Sequence, residues 1–310
     1  MAGWLVAGLV MAAVNVAAAE TPNLKWTPTR LIPYKKVGDV TLKLHVFNPS
    51  NWKASDRRPA MVFFFGGGWV SGSPKQFYPH CTHLAKKGWV AIAAEYRVKK
   101  RHGTSPIECV RDGKSALRWV RAHARELGID PDHLAAGGGS AGGHVAAATA
   151  TVRGFDEPGE DATVSARPNA LVLFNPVLDN SPQGWGSSRI GPRWRELSPL
   201  HNLHRHMPPT IIFLGTRDKL IPVATMEKCR RRLRELGVRC ELRLYQGQGH
   251  GFFNYGRDGG RWYGETVAEM DRFLESLGWS VPVAAIGRKT EAASEKGACG
   301  NRTRQSVLER

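Results

Sequence analysis

The sequence predicts an α/β fold, a mostly parallel central sheet with helices on both faces. Three observations carry this. Short apolar runs recur along the 310 residues, and segments of helix length lie between them. One of the runs, Ala60-Met61-Val62-Phe63-Phe64-Phe65, is apolar without alternation, as a strand covered on both faces would be. With 42% hydrophobic residues the chain can bury one large core or at most two modest ones, so a single α/β domain over residues 37–280 fits best.

The elements follow in order. Trp4 to Ala19 is an apolar run closed by Ala17-Ala18-Ala19 before Glu20. This is the small-residue pattern of a signal-peptidase site, so residues 1–19 are expected to be a signal peptide and the protein exported, periplasmic or secreted. The run carries no Lys or Arg. No later apolar run reaches membrane-spanning length, so no stable membrane insertion is expected after cleavage. Residues 20–36 read as an irregular lead-in. Val40 to Phe47 alternates like a strand near the edge of a sheet, and Asn48-Pro49-Ser50 ends it. The buried run of residues 60–65 leads straight into Gly66-Gly67-Gly68. Further strands are expected at residues 89–94, 133–137, 170–174, 210–214 and 240–245, with helices at about 75–87, 108–127, 142–152, 223–236 and 263–277. Residues 180–200 hold Gly184-Trp185-Gly186 and Arg193-Trp194-Arg195 with little periodicity, and read as a short lid or binding loop. Residues 281–310 turn small, polar and charged, and are expected to be disordered.

A net charge of +17 and a pI near 10.0 raise nucleic acid as a partner. The charge is dispersed, however, through Lys99-Lys100-Arg101, Arg230 to Arg234 and the C-terminal segment, with no binding motif nearby, so solvated faces are the better reading and no nucleic acid is expected. Cys81, Cys109, Cys229, Cys240 and Cys299 are odd in number and irregularly spaced, without a metal framework. One or two disulfides and buried free thiols are both compatible with them.

Chemistry enters with Gly138-Gly139-Ser140-Ala141-Gly142-Gly143-His144. A short strand precedes this segment and an alanine-rich helix follows it, the setting of a nucleophile elbow, in which a serine is raised above a sheet on a tight turn. The helix start would turn its free N–H groups and positive dipole end toward that serine. A serine hydroxyl needs a base and a carboxylate to orient the base. Asp218 follows the run Ile211 to Leu214, and His250 follows the next one, in the segment Tyr245-Gln246-Gly247-Gln248-Gly249-His250. Ser140, Asp218 and His250 then stand in the chain order this kind of sheet uses, each at a different strand end. Asp179 also follows a strand and competes with Asp218, whereas Asp258 and Asp271 come after the histidine. His144 reads as packing. His201, His204 and His206 lack the carboxylate or cysteine partners of a metal site, so no metal is expected.

The sequence resembles the α/β-hydrolase superfamily, in the esterase branch related to hormone-sensitive lipase and to BD-FAE feruloyl or acetyl esterases. The resemblance spans roughly residues 37–277. Beside the elbow and the two triad strands, Phe64-Phe65-Gly66-Gly67-Gly68-Trp69 is similar to that branch's His-Gly-Gly-Gly motif, and Glu95-Tyr96-Arg97 to its Asp-Tyr-Arg segment. The resemblance implies oxyanion donors at the backbone N–H groups of Gly67, Gly68 and Ala141, and acyl transfer without a cofactor. Two departures stand out. Phe65 replaces the family's histidine, so apolar packing must take over whatever that side chain holds. The lead-in is too short for a substantial helical cap, which points to an open site for small-molecule or polysaccharide esters. Trp69, Trp185 and Trp194 are candidate substrate contacts, or wall of the pocket. Two rival functions remain at this point, a serine exopeptidase of prolyl-oligopeptidase type and a non-catalytic hydrolase-fold binding protein. The first would need an acidic pair to anchor a peptide amine, and none is visible.

Overall fold

The apolar run that begins at Ala60 forms most of the central strand β3 (Arg58–Phe64), and its side chains alternate between two cores. Ala60, Val62 and Phe64 face one hydrophobic cluster, Met61 and Phe63 the other. The structure, a computed structural model, describes residues 26–279 and Val281. Its other strands are β1 (Arg30–Val37), β2 (Val40–Phe47), β4 (Val90–Ala94), β5 (Ile129–Gly139), β6 (Ala170–Phe174), β7 (Thr210–Gly215) and β8 (Cys240–Tyr245). They form one sheet in the order β1-β2-β4-β3-β5-β6-β7-β8. All neighbours from β4 to β8 are parallel, and β2 runs antiparallel to both β1 and β4.

Five longer helices cover the sheet: α1 (Tyr78–Lys86), α2 (Pro106–Ala122), α3 (Ala141–Thr151), α4 (Val223–Glu235) and α5 (Arg261–Glu275). Cys109, Leu117 and Val120 of α2, Val145 of α3, and Met226 and Leu233 of α4 pack into the first cluster. Leu84 of α1 and Met270 and Phe273 of α5 pack into the second. The two apolar faces of the sheet are therefore both covered by helices, as continuously apolar strands require. Ser105 starts α2 with a capping box, its side chain accepting from Ile107 N–H while Glu108 returns to the Ser105 N–H.

The lead-in is not irregular throughout, because residues 30–37 form β1, hairpin partner of β2. Pro33, Lys35 and Lys36 hide it, since a proline and paired charges are tolerated on an edge strand and spoil its apolar alternation. Lys35 is in fact buried, its Nζ 2.7 Å from Asp112 Oδ1 and 2.7 Å from Glu157 Oε2. β5 also begins earlier than expected, pairing Ile129 with Arg58 before an irregularity. Residues 180–200 carry short helical turns at Ser187–Ile190 and Trp194–Leu197. Cys81, Cys109, Cys229 and Cys240 are buried free thiols. The expected signal segment, the expected disordered tail from residue 282 onward, and Cys299 lie outside the described residues.

Candidate active site

Ser140 sits between β5 and α3 with φ 54° and ψ −118°, a conformation a side-chain-bearing residue adopts only when its surroundings enforce it. They do so through close backbone approach. A Cβ on Gly142 would collide with the carbonyl oxygens of Phe64 and Phe65, so only glycine lets α3 start this near β3. The Ser140 N–H donates to Phe174 O at 3.0 Å, and its own carbonyl accepts from Val177 N–H at 3.2 Å. The turn is thus pinned to β6.

The Ser140 hydroxyl lies 2.9 Å from His250 Nε2, and His250 Nδ1 lies 2.8 Å from Asp218 Oδ2. Asp218 follows β7, and its carboxylate is fully shielded from solvent. Its other oxygen accepts from Leu220 N–H at 2.8 Å and Ile221 N–H at 3.0 Å. With Asp218 accepting at Nδ1, the imidazole carries its proton there and presents Nε2 as an acceptor to the serine. Three strand ends deliver these groups to one edge of the sheet, where ligands of such sheets bind.

Gly67 and Gly68 lie in the turn after β3, and their N–H groups have no protein acceptor among the described residues. Gly67 has φ 125°, and a Cβ there would meet the Ser71 carbonyl. Ala141 is the first residue of α3, so its N–H is one that no helical carbonyl can reach. Phe65 is buried and stacks on Tyr96, ring centroids 4.1 Å apart and planes 15° apart. The Tyr96 hydroxyl in turn donates to Phe65 O at 2.6 Å. Apolar stacking plus one hydrogen bond therefore holds this turn. Arg97 fixes the tyrosine segment, its backbone N–H and guanidinium both donating to the buried Asp112.

Ser140 and His250 open onto a hollow of about 460 Å³, also lined by Gly66 to Gly68, Gln76, Asn175, Trp185, Arg189, Leu220, Asn254 and Arg257.

Residues 44–182 match the BD-FAE family model. Esterase LipC of Mycobacterium tuberculosis is 28% identical over 236 residues, covering 65% of this chain and 56% of that protein. Esterase LipQ of the same organism is 28% identical over 245 residues, 73% of this chain and 57% of that protein. The chain thus spans little more than half the length of these curated relatives. Likeness to esterase 2 of Thermogutta terrifontis extends further: its apo form superposes with a TM-score of 0.80 at 45% identity, over 84% of this chain and 99% of that one. The chain belongs to the α/β-hydrolase esterases. A second structure of the Thermogutta esterase is phosphorylated by paraoxon, with a TM-score of 0.78 and 47% identity over 82% of this chain and 95% of that one.

Within this α/β-hydrolase esterase other sequence candidates fall elsewhere. Trp69, a candidate for substrate contact or for pocket wall, is 1% exposed and turned inward, edge-on to His144 and beside Trp185. Its backbone takes a positive φ of 60°. Trp194 packs edge-on to His201, outside the hollow. Trp185 alone of the three lines it. Asp179 accepts from Ser181 N–H at 2.9 Å and stays away from His250. His144 is buried with Nε2 3.1 Å from Leu197 O. Among the described residues no cluster of metal-binding side chains occurs, and His204 instead meets Ala150 O.

Three polar residues at the site were not singled out from sequence. Asn175, just past β6 with φ 36°, accepts from Gly251 N–H at 3.0 Å, and its amide lies 3.4 Å from His250 Nε2. Gln76 accepts from Gly66 N–H at 2.6 Å and donates to Asn254 Oδ1 at 2.9 Å. Asn254 donates to Gly251 O at 2.8 Å. The glycine turn and the histidine loop are thereby joined through two side-chain amides. An asparagine before Pro176 at a strand end is the one sequence signal that could have flagged Asn175, since asparagine tolerates positive φ.

Proposed function

We propose that this chain is a serine carboxylic-ester hydrolase that works through an acyl-enzyme. The observation that carries the reading is the continuous chain from Ser140 Oγ to His250 to Asp218, with contacts of 2.9 and 2.8 Å, at the carboxyl edge of the sheet. In this reading His250 Nε2 takes the Ser140 proton as Oγ bonds to the ester carbonyl carbon. The carbonyl oxygen becomes an oxyanion facing the N–H groups of Gly67, Gly68 and Ala141, and Asp218 stabilises the imidazolium. The carbon–oxygen bond to the alcohol then breaks, and His250 returns the proton to that alcohol. Water repeats the sequence: His250 removes its proton, the hydroxide oxygen bonds to the acyl carbon, and the Ser140 oxygen leaves with the proton as the acid is released.

Small esters and esters on carbohydrate, of acetyl or feruloyl type, are the proposed substrates. The insertion after β6 carries only short helical turns, Ser187–Ile190 and Trp194–Leu197, which supports this. Export belongs to the same proposal and rests on the Trp4 to Ala19 run. A peptidase reading is not favoured, because among the described residues no carboxylate lines the hollow to hold a peptide amine. Turnover of p-nitrophenyl esters from acetate to decanoate, with Ser140→Ala as control, tests the reading. Hydrolysis of the short esters by the parent and none by the variant is expected. No turnover of any ester, or equal turnover by the variant, would refute it.

A further inference from the structure

The hollow in front of Ser140 carries charge of one sign. Arg189 and Arg257 both line it, and among the described residues no carboxylate does. Arg189 comes from the insertion after β6: its Nη1 donates to Gly68 O at 2.8 Å, and its guanidinium lies 4.6 Å from the centre of the Trp185 ring. Arg257 comes from the loop after His250, with Nη1 3.4 Å from His250 O. Each guanidinium is exposed and keeps most of its five donors free of these contacts.

Of the other arginines at the surface only some are neutralised. Arg193, Arg232, Arg239, Arg243, Arg261 and Arg272 each hold a carboxylate oxygen at 3.0 Å or less. Arg189 and Arg257 have no ion-pair partner among the described residues, and Asp258, next in the chain to Arg257, is out of ion-pair reach. The exposed Arg101, Arg153, Arg205, Arg217 and Arg231 also lack an ion-pair partner among the described residues, so what sets Arg189 and Arg257 apart is their place at the hollow. The acid nearest the reaction, Asp218, is shielded from solvent and occupied by His250 and two backbone N–H groups. A concave site with one sign of charge on its rim concentrates ligands of the other sign, and planar guanidinium forks match carboxylates in particular.

We propose that the preferred substrates of this site are esters that carry a second, ionised group, a carboxylate, held by Arg189 or by Arg257 while the ester lies at Ser140. The inference rests on the serine-esterase reading above. Two kinds of molecule supply this chemistry: half-esters of dicarboxylic acids, with the charge on the acyl side, and esters whose alcohol is a hydroxy acid or uronate. Arg189 bonds to the glycine turn at Gly68 O, whereas Arg257 touches the histidine loop, where the leaving alcohol receives its proton. The two arginines therefore divide between the two ends of the ester.

The test is release of acid, followed by pH-stat, from matched pairs of esters in which a terminal carboxylate is exchanged for the equal-sized carboxamide. One pair places this group on the acyl chain and a second pair places it on the alcohol. At low ionic strength a carboxylate-to-carboxamide ratio of kcat/KM of about tenfold or more is expected in at least one pair, shrinking toward one at about 0.5 M salt as the charges are screened. Arg189→Gln or Arg257→Gln should lower that ratio, and an unchanged urea midpoint shows that the variants are folded. Turnover of the carboxamide esters with a ratio of one or less in both pairs would overturn the inference and leave the esterase reading intact. So would a ratio indifferent to salt and to both substitutions. Absence of turnover on all four esters would sink both.

Discussion

Ser140 is held at a positive φ by contacts to β6 and by glycines that admit neighbouring carbonyls, so its hydroxyl position is set before any ester arrives. The base is set with equal firmness. Asp218 accepts at His250 Nδ1 and fixes the tautomer that leaves Nε2 open to the serine. In Asp218→Asn the amide can offer a donor to Nδ1 instead, which favours the wrong tautomer. A fall in kcat of about 10⁴-fold is expected, with KM for p-nitrophenyl acetate changed much less. Gln76 and Asn254 act one step back, as positioning residues that join the Gly66 N–H to the Gly251 carbonyl. Gln76→Ala should lower kcat by about ten- to a hundredfold through misplacement rather than lost chemistry. Gln76→Glu should restore part of it, since Oε1 still accepts from Gly66. Because the two amides form one link, the Gln76→Ala, Asn254→Ala double variant should lose little more than either single one, and a double-mutant cycle on kcat measures this coupling.

At the scale of elements, the turn after β3 replaces the family's histidine with an aromatic stack. Phe65 lies 4.1 Å from Tyr96, and Tyr96 is anchored through the neighbouring Arg97 to Asp112 of α2. Phe65→Ala removes this buried ring and should cost about 3–5 kcal/mol in urea unfolding, with a loss of kcat as the glycine turn loosens. Wild-type stability with kcat also unchanged would show that the stack does not support the turn. The strands and longer helices were legible in the sequence where burial follows a simple pattern, as in the run at residues 60–65 and the alanine-rich α3. β1 was not, because Lys35 is a buried charge paired with Asp112, and a lysine in sequence reads as solvent-exposed. The same limit applies within the site. Ser140, Asp218 and His250 announce themselves by residue type, strand end and chain order, whereas Gln76, Asn175 and Asn254 act by pairing across long sequence distances that leave no periodic signature. Trp69 packs inward against His144 and Trp185, a direction its residue type does not announce.

For the whole molecule, two histidines buried under the sheet's helices link folding to pH. Burial pushes His80 down to about 3, and it pushes His144 down to about 4 against the opposing bond to Leu197 O. Both therefore stay neutral in the folded chain at pH values where the unfolded chain, titrating near 6.5, takes up protons. Stability is then complete above pH 6.5 and declines as pH falls toward these folded values, at up to about 1.4 kcal/mol per pH unit for each histidine. Urea unfolding between pH 6.5 and 5, before most carboxylates titrate, should show this slope, and His80→Leu should reduce it by about one proton's worth. A flat profile in the parent would contradict the burial of both rings.

The central claim, that the sheet edge makes Ser140 a nucleophile, is tested most directly by paraoxon labelling read by peptide mass spectrometry. One diethylphosphoryl group per chain on the Ser140 peptide is expected, with concurrent loss of esterase activity. No adduct is expected in Ser140→Ala, and greatly slowed labelling is expected in His250→Ala. An unlabelled chain, or a label carried equally by Ser140→Ala, would contradict it.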